Sequence, residues 1–155
     1  MTRENFAERV TAAQGRLYRV ARGYLRQEAD CLDAVSEAIA RAWQKLATLR
    51  EERYFDTWLT RILIRECVNI QRRQKRVAPM ETLPERASIP SENEALCAAL
   101  DELPQKLRTV VVLHYMEGYA VDEIARILRT PRGTICSRLK TARERLRALL
   151  EEGEK

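Results

Sequence analysis

The sequence predicts an all-α protein of two small helical domains, the second carrying a helix-turn-helix, joined by a flexible linker. Three observations predict it. Apolar residues recur every three or four positions on both sides of the chain's middle. Three of its five prolines, Pro79, Pro84 and Pro90, crowd into one stretch without helical or alternating pattern. Near the C-terminus two short helical patterns are separated by only a few residues.

In the first domain, residues 1–77, Phe6, Val10, Ala13, Leu17, Val20, Ala21 and Tyr24 mark one amphipathic helix. Ala34, Val35, Ala38, Ile39, Ala42, Trp43 and Leu46 mark a second, with Asp30 as its N-cap. A third runs from Tyr54 to Arg76 on an apolar side of Phe55, Leu59, Ile62, Leu63 and Ile70. Glu66 falls on that apolar side, and a carboxylate there requires a charged partner. Residues 78–91 form the linker. In the second domain, residues 92–155, Ser91 and Glu94 suit a capping box ahead of a helix near 92–102 carrying Leu96, Ala99, Leu100 and Leu103. Further helices are predicted near 105–116, 121–128 and 131–150. The run Val110–Val111–Val112–Leu113 has strand-like branching, but helical spacing from Leu107 to His114 and the lack of a pairing strand favour helix.

In the last pair of helices, Val121, Ile124, Ala125 and Leu128 form one inward face, and Ile135, Leu139, Ala142, Leu146 and Leu149 the other. Thr130 as cap and Pro131 in the first position open the final helix. Arg129 stands where the tight turn suits glycine, and a left-handed backbone there costs about 1 kcal/mol. Outside the apolar stripe, residues 129–147 hold seven cations and one acid, Glu144. That imbalance suits phosphates, and Arg132, Thr134, Ser137, Arg138, Lys140, Thr141 and Arg143 are the residues placed to meet duplex DNA, with Arg138 at a base edge. Gly133 permits close backbone approach there, or serves packing.

On the third helix, Arg61, Arg65, Asn69, Arg72 and Arg76 lie within about 80° at 100° per residue, with Tyr54 and Trp58 on the same arc. Cations interleaved with aromatics hold single strands, the rings stacking on unpaired bases. Trp58 either stacks in this way or closes the edge of the core.

Composition excludes other classes. The net charge of +5 is modest, so its concentration on two faces is what matters. Four cysteines lacking any C-x-x-C pair, and a single histidine, argue against a zinc site or disulfide framework and suit reduced thiols. No signal-peptide core or membrane-length apolar run stands out, so a soluble intracellular protein is expected. Paired acids, an activated nucleophile and a phosphate loop are all lacking at suitable spacing, so no enzyme and no cofactor is expected.

The segments "DAVSEAIARAW", "FDTWLTRILIRECVNIQRR", "LDELPQKLRTVVVLHYMEGYAVDEIARIL" and "RGTICSRLKTARERLRALL" resemble the bacterial sigma-70 family, specifically its compact extracytoplasmic-function (ECF) sigma factors. The resemblance covers nearly the whole chain. It implies sigma-2 and sigma-4 domains that bind core RNA polymerase, through its clamp coiled coil and its flap, and direct it to promoter DNA. It implies that Asp33, Glu37 and Arg41 meet the clamp, and that Tyr54, Trp58, Arg61, Arg65, Asn69, Arg72 and Arg73 recognise and melt the minus-ten element. Residues 46–53 would capture a flipped base. Thr134, Ser137, Arg138, Lys140 and Arg143 would read the minus-thirty-five duplex. Glu81 and Glu85 in the linker would lie in the RNA exit path. An anti-sigma factor, often membrane-bound, would hold the chain inactive, and the free chain would be a cytoplasmic monomer. Two departures stand out: Cys136 where the family often has a cation, and Ala120 where it often has a capping serine. A stand-alone helix-turn-helix regulator and a nonspecific RNA-binding protein remain as alternatives, separated by whether core polymerase is needed.

Overall fold

The computed structural model describes residues 1–77 and 94–153. Among these every regular element is helical: α1 (Arg3–Arg22), α2 (Glu28–Gln44), α3 (Phe55–Val77), α4 (Glu94–Glu102), α5 (Gln105–Val111), α6 (Val121–Leu128) and α7 (Arg132–Gly153). Two 3-10 turns, Leu46–Thr48 and Glu52–Tyr54, precede α3, and a π turn, Val112–Met116, follows α5. The chain divides into two compact units, Met1–Ala87 and Ser88–Lys155. Pro79, Glu81, Pro84, Glu85, Pro90 and Ser91 lie outside the described residues.

The first unit is a three-helix core. Ala34, Ala38 and Ala42 recur every fourth residue of α2, and all three are fully buried. A line of methyl groups lets α2 approach α3 closely, and Leu59, Leu63 and Cys67 of α3 are likewise fully or almost fully enclosed. Phe6 of α1 meets Phe55 edge-on at 6.0 Å between ring centres. Polar links fix the ends. The Gln71 amide donates to the Tyr24 carbonyl at 2.7 Å, and Arg16 reaches Asp56 at 3.4 Å.

Several expectations are corrected here. The α2 helix begins earlier than its pattern predicts, at Glu28, with Gln27 as N-cap. Asp30 therefore sits in the first turn, where it suits the positive end of the helix dipole, and accepts a 2.6 Å hydrogen bond from Gln74 of α3. Trp43, placed by periodicity on the apolar face, is 46% exposed and leans on Phe6 at 5.2 Å.

In the second unit, Leu100, Leu103, Leu107, Val111 and Ala142 form one core, flanked by Leu96, Leu146 and Leu149. The valine run is helical, as predicted, but not regular throughout. The Glu117 amide reaches back five residues to the Val112 carbonyl at 3.0 Å, widening the helix into the π turn. Gly118 follows at φ 75°, a backbone region open to glycine at no steric cost.

Candidate nucleic-acid interface

The helix-turn-helix is built from capping interactions. Ala120 offers no side-chain acceptor to α6, yet its amide donates to the Glu123 carboxylate at 2.9 Å, so half of a capping box is in place. Ile124 and Ile127 are the buried pair of α6, whereas Val121 and Leu128 are only half-buried. The inward face is thus rotated from the predicted one, toward a residue the spacing argument passed over.

The turn after α6 is set by Arg129, at φ 52° and ψ 47°. Its amide bonds the Arg126 carbonyl at 3.4 Å, and the Thr130 amide bonds the Ala125 carbonyl at 3.0 Å. Those two bonds make the Schellman closure, whose left-handed residue is ordinarily glycine. Thr130 does not serve as the predicted cap of α7: its hydroxyl is turned back to donate to the Leu128 carbonyl at 3.1 Å. The Pro131 carbonyl accepts from Thr134 and Ile135 and opens the helix instead. Ile135, Leu139 and Ala142 then bury completely or nearly so, fixing which side of α7 faces out.

On that outer side Gly133, Ser137 and Lys140 are exposed and share one line at spacings of four and three. A methyl group built on Gly133 would meet nothing within 4 Å, so packing inside the unit does not require glycine there. Thr134, Arg138 and Thr141, all half-buried, run along one flank. Arg132 and Arg143 run along the other, each held by a group from another element. Arg132 meets Asp122 of α6 at 2.7 Å, and Arg143 donates to the Tyr115 hydroxyl at 2.8 Å.

In the first unit, Arg65, Arg72, Arg73 and Arg76 of α3 are exposed, Asn69 is half-buried, and Arg61 is drawn partly inward. Tyr54 is 41% exposed with the Arg53 guanidinium 4.8 Å over its ring. Trp58 is half-buried, its ring centre 5.8 Å from that of Phe55, so one side packs on the core while part of the ring stays open.

The buried Glu66 has the partner its position demanded: Arg41 of α2, at 2.6 Å. Arg41 also reaches Glu37, one turn back, at 3.4 Å. An open cleft of about 700 Å³ lies between α2 and α3 beside this ion pair. Asp33, Glu37 and Arg41 line one wall, and Asn69, Arg72, Arg73 and Arg76 the other. The resemblance keeps these two groups apart as polymerase-facing and DNA-facing; the structure brings them to one cleft with an acidic side and a basic side. The buried acid was the signal in the sequence that α3 needs a charged partner; that α2 supplies it follows only from the packing.

Burial pushes the Cys67 thiol up to about 12, with Cys31 and Glu66 nearby adding to the effect, so it is no nucleophile at neutral pH. Among the described residues no cluster of His, Cys, Asp and Glu is arranged to hold a metal ion, and no helix is long and apolar enough to cross a membrane.

Comparison with known proteins agrees with the two-unit division. Residues 10–77 match the sigma-70 region 2 family and residues 93–146 the sigma-70 region 4 family. RNA polymerase sigma factor SigV of Bacillus subtilis is 31% identical over 138 residues, 86% of this chain and 83% of that protein. The ECF RNA polymerase sigma factor SigM of Mycobacterium tuberculosis is 34% identical over 139 residues, covering 86% of this chain and 71% of its own length. Among solved structures, the sigma factor RpoE from Bartonella quintana, crystallised with the anti-sigma factor NepR, has the same fold. Its TM-score is 0.82 at 22% identity, over 96% of this chain and 98% of that one. The helix-turn-helix with its one-sided cations, the basic α3 and these relatives lead to one assignment: the chain belongs to the ECF group of sigma-70 family RNA polymerase sigma factors, which direct core polymerase to promoters.

Proposed function

We propose that the two units divide promoter recognition as follows. Residues 92–155 dock α7 in the major groove of the minus-thirty-five duplex, Ser137 and Lys140 facing the bases, Arg138 reaching a base edge from one flank, and Arg132, Thr134, Thr141 and Arg143 gripping the backbone. Residues 1–77 hold the opened minus-ten strand on Arg61, Arg65, Asn69, Arg72 and Arg73, with Tyr54 and Trp58 as stacking platforms. The observation that carries this reading is the placement of α7: Ile135, Leu139 and Ala142 of its apolar stripe are enclosed, while Gly133, Ser137 and Lys140 face outward between flanks carrying Arg138 on one side and Arg132 and Arg143 on the other.

Asp33 and Glu37, on the acidic wall of the α2–α3 cleft, meet basic residues of the polymerase clamp, and Arg41 is held in place for that contact by Glu66. An anti-sigma factor, of the kind that accompanies the Bartonella relative, competes for these surfaces in the cytoplasm. The chain brings no reaction of its own; core polymerase supplies the chemistry, and binding energy spent on unpaired bases shifts the duplex toward its open form. Mixing the purified chain with core polymerase and scoring initiation on a panel of promoters tests the proposal. Promoter-selective initiation only with core present is expected. Tight specific duplex binding without polymerase, and no effect on core, would overturn it in favour of a stand-alone regulator.

A further inference from the structure

Tyr115 was singled out by no motif, and the structure gives it an uncommon position. It lies in the π turn, is 51% exposed, and its hydroxyl accepts a 2.8 Å hydrogen bond from Arg143 of α7, 28 residues away. A buttress stands behind it. The His114 ring packs edge-on against the Tyr115 ring at 4.8 Å, and its Nδ1 lies 2.8 Å from the Tyr119 carbonyl. A carbonyl only accepts, so Nδ1 carries the hydrogen and the imidazole is fixed in orientation.

We infer that Tyr115 and Arg143 form a composite clamp for one backbone phosphate of the upstream duplex. The chemistry follows from which donors are already used. Arg143 gives one of its five N–H groups to the phenol, and the others remain to meet an anion. The phenol oxygen, while accepting from Arg143, keeps its own hydrogen to give. Both groups can therefore donate to a single phosphate, with the guanidinium oriented beforehand.

A comparison along the same flank of α7 separates this pair from an ordinary surface contact. Arg132 is also held from outside its helix, but by the Asp122 carboxylate, which offsets its charge. A phenol orients Arg143 without cancelling anything. Lys140, on the adjoining outward line, and Arg147, one turn beyond Arg143, are both exposed and add to the charge beside this flank. The clamp grips the backbone and reads no base, so Arg143 contributes to affinity equally on all sequences.

This inference rests on α7 docking in duplex DNA, and the test separates the two. The full chain is assembled with core polymerase, and binding to promoter duplexes differing in upstream sequence is measured across a salt series for wild type, Tyr115→Phe, Arg143→Ala, the double variant and Lys140→Ala. Tyr115→Phe is expected to weaken binding roughly three- to tenfold, the loss of one hydrogen bond, to the same extent on every promoter. The double variant should lose less than the sum of the two single losses, as expected of donors that share one phosphate, and Arg143→Ala alone should lower the salt slope by about one. Affinity for core and melting temperature should not move. Unchanged DNA binding in Tyr115→Phe, while Lys140→Ala weakens it, would overturn the clamp and leave α7 docking intact; so would a drop confined to core affinity. If neither Lys140→Ala nor Arg143→Ala alters promoter binding, the docking reading falls, and the clamp with it.

Discussion

Thr109 is a buried residue whose hydroxyl meets no described hydrogen-bonding partner. Replacing it with valine keeps the shape and removes a desolvated polar group, so Thr109→Val should raise unfolding stability by about 1 kcal/mol, read from denaturant midpoints at unchanged slope. A second buried group makes a prediction about pH. The folded state holds the Cys67 proton up to about pH 12, whereas an ordinary thiol releases it near 9.0. The folded chain therefore binds more protons than the unfolded one between those values, and stability present below pH 9 is lost as pH climbs toward 12. Melting curves at pH 8 and 10.5 check this: the downward shift should be smaller in Cys67→Ala than in wild type. Neither Thr109 nor Cys67 could be ranked from sequence, because burial at a helix interface depends on the rotation of each helix. Glu66 was different. Its place on an apolar face demanded a counter-charge, but that the partner is Arg41 depends on how α2 and α3 pack, which periodicity does not encode.

At the scale of the element, the helix-turn-helix shows how two local deficits are carried by tertiary packing. Ala120 leaves α6 without a side-chain cap, and Arg129 takes a left-handed backbone that favours glycine. Each costs about 1 kcal/mol, and α6 has only eight residues with which to offset them. Ala120→Ser should complete the capping box with Glu123 and stabilise the second unit by about 1 kcal/mol. Arg129→Gly should do the same for the turn, while weakening DNA binding if the Arg129 charge lies near phosphate. Thermal unfolding combined with a salt-dependent binding measurement distinguishes the two contributions. The Arg129 deficit was visible in the sequence because the glycine preference of a tight turn is local, and the Ala120 deficit through the resemblance to a family that often has a capping serine there. The rotation of α6 that buries Ile127 was not, because an eight-residue helix offers too few turns for spacing to fix its inward face. The π turn was equally hidden: one widened turn leaves the apolar spacing from Leu107 to Val111 intact, and its effect is to place Tyr115 beside Arg143.

At the scale of the whole molecule, each unit has its own enclosed core, one around Leu59 and Leu63, the other around Leu103 and Val111. Separate cores allow the two proposed recognition surfaces to be altered independently, and kinetics can test whether they act independently. Arg138 stands on α7 of the second unit and Trp58 on α3 of the first. If α7 meets intact duplex and α3 the opened strand, Arg138→Ala should weaken the initial closed complex on promoters with a good upstream element while leaving the opening step unchanged. Trp58→Ala should leave the closed complex alone and slow opening, since removing a stacking ring costs about 1–3 kcal/mol per base. In the double variant the two losses should add to within about 0.5 kcal/mol, the behaviour of sites without shared partners. Stopped-flow measurement of promoter opening by reconstituted holoenzyme, across a range of chain and core concentrations, separates the two steps. An unchanged opening rate in Trp58→Ala would return that ring to the core beside Phe55 and leave Tyr54 as the exposed aromatic of the stripe. Losses that fail to add would mean that the units communicate during opening, because a surface that only finds the duplex has no means of changing the rate at which another surface traps its separated strands.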